Sequence, residues 1–418
     1  MEKALLVSVQ LKTDQGHWRI EDISSELEEL ANSTAVEVVE NVICICDRAT
    51  PNFLIGKGKV EEIGFIANEE NVDTVIFSHD LSNTQQRNLE NAMGKKVIDR
   101  TQLILDIFCR RAKSPEGKMQ VELAQLQYLL PRLSGKGIML SDLGGGIGTR
   151  GPGETKLEVD RRGIRRKVDK LKDDLKEFSS HRLTMHKKRK VNNLPTLALV
   201  GYTSAGKSTL LNRLTESNQV TSAKLFTTLD PLAKHLTLPN GQSVIVSDTV
   251  GFLHDLPHHL IQAFKATLEE VNDADLLIHV LDVADSRMHQ HNQAVLDVLD
   301  DLGVKDKPML TVLNKIDLVQ DRFWLEVLGK EFTDSIRICA SSGENVSALI
   351  KKLEQYFAGL MLNLKIFIPH RRMELVDFFY RQGKVNKIDY LQEGIKIDLS
   401  IARKIYEKIS VDKDIKII

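Results

Sequence analysis

The sequence predicts a multidomain α/β chain on three observations. Within residues 1–115, apolar β-branched runs alternate with helix-period segments. At residues 196–200 an apolar run leads straight into a glycine-rich loop and then a helix-forming stretch. Between them, residues 116–192 switch to helical apolar spacing crowded by basic side chains. The expected divisions are 1–115, an N-terminal α/β domain; 116–192, a basic helical hairpin with a Gly-rich loop; 193–362, a phosphate-binding α/β domain; and 363–418, a small C-terminal α/β domain.

In the first domain, Leu5-Leu6-Val7-Ser8-Val9, Val36-Glu37-Val38-Val39, Val42-Ile43-Cys44-Ile45, Thr74-Val75-Ile76-Phe77 and Lys96-Val97-Ile98 read as strands. Val60 to Ile66 has a helical period. This alternation predicts a parallel sheet. Gly56-Lys57-Gly58-Lys59 lacks the spacing of a phosphate loop and reads as a loop before a helix. Cys44 and Cys46 alternate onto one strand face, and with only Cys109 and Cys339 elsewhere no second pair completes a zinc site. Free thiols in a reducing cytoplasm are expected.

The chain has 418 residues and a net charge of −1, so any nucleic-acid surface must be local. No basic-then-apolar leader and no 18-residue apolar run occurs. A cytoplasmic monomer is expected, without stable membrane insertion; peripheral membrane association stays open.

In the second region, Val121 to Leu130 is helical and stops near Pro131. A loop from Gly144 to Glu154 follows. Beyond it, Leu157, Ile164, Val168, Leu171, Leu175 and Phe178 recur at steps of seven, four, three, four and three, the spacing of a helical hairpin seam. Arg161, Arg162, Arg165, Arg166, Lys167 and Lys170 take positions expected to be exposed. Concentrated on a nearly neutral chain, they point to phosphate-backbone contacts. Gly146-Ile147-Gly148-Thr149-Arg150-Gly151 spells a dinucleotide fingerprint, but a helix precedes it and Pro152-Gly153 follows instead of a helix start. A pliable tip bearing Arg150 and Gly151 suits insertion into a crevice of a large partner.

The third region carries the chemistry. Thr196 to Val200 is a strand, and Gly201-Tyr202-Thr203-Ser204-Ala205-Gly206-Lys207-Ser208 after it is a GxxxxGK[ST] loop. Its N–H groups cradle phosphate oxygens, Lys207 reaches the β- and γ-phosphates, and the Ser208 hydroxyl serves Mg2+. Asp248-Thr249-Val250-Gly251 closes a second strand. Asp248 is placed to hold Mg2+, and Gly251 to bring its N–H to a γ-phosphate. Asn314-Lys315-Ile316-Asp317 caps a third strand. A carboxylate at Asp317 pairs with guanine's two adjacent donors, whereas adenine would leave it unmatched. Cys339-Ala340-Ser341 matches the loop whose backbone meets the guanine carbonyl. Together these residues predict a Ras-like P-loop G domain that binds GTP and GDP and hydrolyses GTP, with Mg2+ as cofactor. The first switch must lie between, in Phe226-Thr227-Thr228-Leu229-Asp230, with Thr227 or Thr228 as its Mg2+ threonine. Phe252 follows Gly251 where a water-orienting Gln would stand, so slow hydrolysis that depends on a partner is expected. His254, Asp255, His258 and His259 are the nearby polar groups.

Several stretches resemble the HflX GTPases. They are Gly56-Lys57-Gly58-Lys59-Val60-Glu61-Glu62-Ile63, Asp99 through Phe108, Gln120 through Leu126, and Gly148-Thr149-Arg150-Gly151-Pro152-Gly153-Glu154. The resemblance runs from about residue 4 into the tail. It implies a ribosome-associated GTPase that binds the large subunit and its rRNA. It further implies that the Gly-rich loop approaches the peptidyl transferase centre and that stalled or idle ribosomes are split, notably under heat stress. It also implies that Thr228 is the Mg2+ threonine and that Lys207, Thr228 and Gly251 form the catalytic set. Ser204 replaces an Asn common among relatives, Leu232-Ala233-Lys234 replaces a usual Thr-Thr-Arg, and Cys339 replaces Ser. Two other readings remain open on the residues alone: a large-subunit assembly GTPase, and a signalling switch with a protein effector and no RNA contact.

Overall fold

The computed structural model describes residues 2–13, 18–34, 36–133, 152–191, 194–215, 226, 232–255, 265–304, 306–359, 361–402, 406 and 416–417. The first sheet is wholly parallel, in the order β2-β1-β3-β4. Its strands are β1 (Glu2–Leu11), β2 (Val36–Cys46), β3 (Thr74–Phe77) and β4 (Lys96–Asp99). Val36 to Cys46 is therefore one strand where two short ones were expected. Helices α1 (Ile20–Asn32), α2 (Lys57–Glu69), α3 (Asn83–Met93) and α4 (Arg100–Arg111) cross between or follow them. Gly56 caps α2, so Lys57-Gly58-Lys59 forms that helix's first turn rather than a loop before it.

Strand β1 is central and buried on both faces, and its alternation sorts residues into two cores. Leu5, Val7 and Val9 join Val60, Ile63, Val75 and Phe77 on one side. Ala4 and Leu6 join Ile76, Ile98, Ile104 and Phe108 on the other. That second core continues without a break into Ala198, Val200, Tyr202, Val250 and Phe252 of the nucleotide-binding region.

The hairpin is α5 (Pro115–Arg132) against the 40-residue α6 (Pro152–Val191). Ser114 caps α5, with Pro115 at its first position, where a missing N–H is tolerated. The same tolerance applies at Pro152, which opens α6; the expectation that Pro152-Gly153 bars a helix start is corrected here. Val168 and Leu171 are buried, Ile164 and Leu175 half-buried and Phe178 exposed, so the apolar seam opens toward Phe178. At the far end of α5, Tyr128 donates to Asp99 Oδ1 (2.8 Å), and Arg132 reaches Asp99 Oδ2 (3.0 Å) and the Leu81 carbonyl (2.8 Å). These bonds anchor the helix to the first sheet just before residues 134–151, which hold Arg150 and Gly151 and lie outside the described residues.

The second sheet has the order β10-β9-β8-β5-β7-β6. It is parallel except for β6 (Leu232–Thr237), which runs against β7 (Ser243–Asp248). The others are β5 (Thr196–Gly201), β8 (Leu276–Asp282), β9 (Met309–Asn314) and β10 (Ile336–Arg337). Around it lie α7 (Lys207–Thr215), α8 (Lys265–Asp273), α9 (Met288–Asp301), α10 (Arg322–Glu331) and α11 (Val346–Gly359). The tail forms an antiparallel sheet of β11 (Met361–Pro369), β12 (Gly383–Leu391), β13 (Gly394–Ala402) and β14 (Lys416–Ile417), with α12 (Glu374–Gln382) adding Phe379 to its core. Among the described residues, no helix is long and apolar enough to cross a membrane.

Candidate guanine-nucleotide site

Strand β5 ends at Gly201, and α7 begins at Lys207, so the glycine-rich loop spans a strand end and a helix N-terminus. Tyr202, Thr203, Ala205 and Lys207 are buried, Ser208 and Gly206 are half-buried and Ser204 is exposed with φ 62°. A methyl group on Gly206 would collide with Asn314 Nδ2, and its φ of 98° is a left-handed value that glycine adopts without strain. Lys207 Nζ donates to the carbonyls of Gly201 (2.9 Å) and Tyr202 (2.6 Å). Burial lowers its pKa to about 8, against the pull of Asp248. Beneath it, His279 on β8 is pushed down to about 4 by burial and by Lys207, and is therefore neutral.

Ser208 Oγ donates to Asp248 Oδ2 at 2.7 Å, which brings the two proposed Mg2+ groups of the sequence together. Both are hard oxygen donors, the chemistry Mg2+ prefers when phosphates and water supply the rest. Thr249 turns inward, its hydroxyl donating to the Leu199 carbonyl (2.6 Å). Val250 is buried in the shared core.

Asn314 ties the loops together. Its Nδ2 donates to the Ala205 carbonyl (2.8 Å), and its Oδ1 accepts from the Ala340 N–H (3.0 Å). One amide of the loop that the sequence places at the guanine carbonyl, that of Ala340, is thus engaged by Asn314. Lys315 has φ 64° and pairs with Asp282 (2.6 Å). Asp317 is exposed on the short turn Ile316–Leu318. Cys339 is buried, its Sγ 3.0 Å from Ser341 Oγ. Arg213 of α7 donates to the carbonyls of Ala340 and Ser341, fixing this loop to the helix behind the phosphate loop.

The segment after Asp248 lies against the phosphate loop. Thr203 N–H donates to the Phe252 carbonyl (2.9 Å), and Phe252 N–H donates to the Gly201 carbonyl (3.1 Å). A methyl on Gly251 would stand 2.8 Å from Thr203 Cα and 3.2 Å from Lys207 Nζ. The Gly251 backbone thus lies close against Thr203 and Lys207.

The first domain grips this segment. Glu26 on α1, only 6% exposed, accepts from Tyr202 through one carboxylate oxygen and from Arg100 through the other. Arg100 also donates to the carbonyls of His254 (2.6 Å) and Asp255 (3.0 Å). The His254 N–H donates to Tyr202 Oη (3.0 Å). Trp18 stacks on the His254 ring at 4.4 Å, and His291 stacks on Tyr202 at 3.8 Å. Burial lowers the His254 pKa below its ordinary value, and its ring is engaged with Trp18. Sequence reasoning missed Trp18, Glu26 and Arg100. The available signal was Glu26 itself, a carboxylate inside the apolar stripe of Ile23, Leu27 and Leu30 on α1.

Phe226 is buried edge-on against Phe108, 4.6 Å between ring centres, so its side chain belongs to the interdomain core. Thr227, Thr228, Leu229, Asp230, His258 and His259 lie outside the described residues. On the hairpin, Arg162, Arg165 and Arg166 are exposed, whereas Arg161 is half-buried.

Four family models match in series. They are described as GTP-binding GTPase N-terminal (residues 21–109), GTP-binding GTPase Middle Region (111–189), 50S ribosome-binding GTPase (196–315) and HflX C-terminal domain (327–412). The chain is 43% identical to GTPase HflX of Caldanaerobacter subterraneus subsp. tengcongensis over 98% of its length and 93% of that protein's. It is 46% identical to GTPase HflX of Alkalihalophilus pseudofirmus, over 88% and 86%. A GDP complex of a GTP-binding protein from Sulfolobus solfataricus aligns with a TM-score of 0.44 at 26% identity, covering 85% of this chain and 98% of that one. Hairpin, phosphate loop, guanine box and tail thus occur in the order of the matched models, and the chain belongs to the HflX family of GTPases.

Proposed function

We propose that this protein binds GTP at the 201–208 loop, hydrolyses it to GDP, and does so in the cytoplasm on the large ribosomal subunit, where it splits stalled or idle ribosomes. The observation that carries the nucleotide reading is Asn314, which links the phosphate loop to the Cys339–Ser341 loop and leaves Asp317 exposed at the base-reading position. Ser208, Asp248 and Thr228 would hold Mg2+, which when bound neutralises phosphate charge. Lys207 positions the β- and γ-phosphates, and the Gly251 N–H fixes the γ-phosphate once the segment around Phe252 lifts from the loop.

The ribosome reading is supported by exposed Arg162, Arg165 and Arg166 on a 40-residue helix next to the Gly-rich loop. The matched 50S ribosome-binding GTPase model agrees with it. Phosphate contacts release counterions, so binding weakens with salt in proportion to their number. Reversing Arg162, Arg165 and Arg166 to Glu is expected to weaken co-sedimentation with purified large subunits. It should also flatten the plot of log affinity against log salt by about 2–3. A slope equal to that of the unaltered protein would mean the basic face is only solvated.

A further inference from the structure

Helix α6 does more than present a basic face. Near its far end, Arg182 Nη2 lies 2.9 Å from Glu116 Oε1 at the start of α5 and 3.2 Å from Glu269 Oε2 on α8. The three side chains are 19%, 17% and 26% exposed. Arg182 Nε and Nη1 are buried with no hydrogen-bond partner among the described residues. A guanidinium held through one nitrogen, with two others unsatisfied, is a poor device for stability alone. Its position is informative, because α8 touches the strand that ends at Asp248. Glu270, the next residue of α8, accepts from Ser247 Oγ (3.0 Å), and Ser247 directly precedes Asp248. Leu268 and Val271 root α8 in the shared core.

We propose that Arg182 is a positioning residue for GTP hydrolysis, joining the basic hairpin to α8 so that docking of α6 shifts α8 and, through Glu270 and Ser247, the Asp248 end of β7. The inference rests on the reading that α6 docks on the large subunit. Arg162 and Arg182 lie on one continuous helix, about 30 Å apart at 1.5 Å per residue. A tilt imposed at the basic face therefore moves Arg182, and its pairing with Glu269 carries that movement to α8. Glu116 holds Arg182 to α5, so both hairpin helices move together.

The test compares full-length Glu269→Gln, Arg182→Ala and Arg182→Lys with the unaltered protein. Glu269→Gln is the mildest change, because Arg182 keeps Glu116; thermal melting checks that each variant folds. Measured are large-subunit co-sedimentation and GTP turnover with and without saturating large subunits. Expected are unchanged subunit binding, basal turnover within about twofold and a loss of about fivefold or more in subunit-stimulated turnover for Glu269→Gln and Arg182→Ala. The double variant should be no worse than either single one, and Arg182→Lys intermediate. Normal stimulation in Glu269→Gln and Arg182→Ala, or an equal loss of basal and stimulated turnover, would overturn the proposal. An unaltered protein that neither sediments with subunits nor responds to them would overturn the ribosome reading, and this inference with it.

Discussion

On the proposed reading Lys207 meets the phosphates and Asp317 the base, and their surroundings set how each can be tested. Lys207 is 6% exposed, and burial brings its pKa to about 8, so the free protein loses this charge as pH rises through about 8. Phosphate binding restores the proton, because an adjacent anion favours the ammonium. GTP affinity is therefore expected to be flat below pH 8 and to fall above it, approaching tenfold per pH unit. Titrations between pH 7 and 9 check this, and a flat profile throughout would contradict the buried, deprotonatable lysine. Asp317→Asn exchanges a double acceptor for an amide. It should weaken GTP and favour xanthosine triphosphate, whose extra carbonyl matches the new donor. Equal GTP affinity before and after the change would remove Asp317 from base reading. The residues of the phosphate loop and guanine box were legible in the sequence because their geometry is local: a strand end, a turn and a helix start fix them within eight positions. Glu26, Arg100 and Trp18 were not, because their partners are 74 to 236 residues away in the chain, and no spacing rule spans that distance.

At the scale of elements, the short pairing of Gly201–Thr203 with Phe252 extends the β5–β7 contact past Asp248. Glu26 and Arg100 brace it from the first domain. Glu26→Gln leaves the Arg100 guanidinium in place with its carboxylate partner gone, an arrangement that is strongly unfavourable when buried. The brace is expected to loosen, and affinity for GTP should rise relative to GDP by about fivefold. Competition binding of the two nucleotides measures this ratio; an unchanged ratio would show that the brace does not oppose opening. The parallel first sheet was legible from the alternation of short apolar strands with helical periods. The hairpin was legible from its seven-four-three spacing, but the opening of its seam at Phe178 was not. The spacing fixes which side a residue faces, and says nothing about where the partner helix ends. Pro152 illustrates the opposite error: proline was taken as a barrier, although at a first helical position it costs no hydrogen bond.

For the whole molecule, one apolar core runs from β1 and α4 through Tyr202 and Phe252 to Val295 on α9. The nucleotide loop, the segment beyond Asp248 and the first domain therefore pack on one core, and Arg182 of α6 meets it through Glu269 on α8. Phe252 offers no side chain to orient a water, and His254 lies with its ring face on Trp18. Low turnover is therefore expected of the protein alone and rapid turnover of the protein on its partner. GTP hydrolysis at saturating GTP, with and without purified large ribosomal subunits, tests this most directly. At least about tenfold stimulation is expected, a lowering of the barrier by about 1.4 kcal/mol; equal turnover with and without subunits would contradict it.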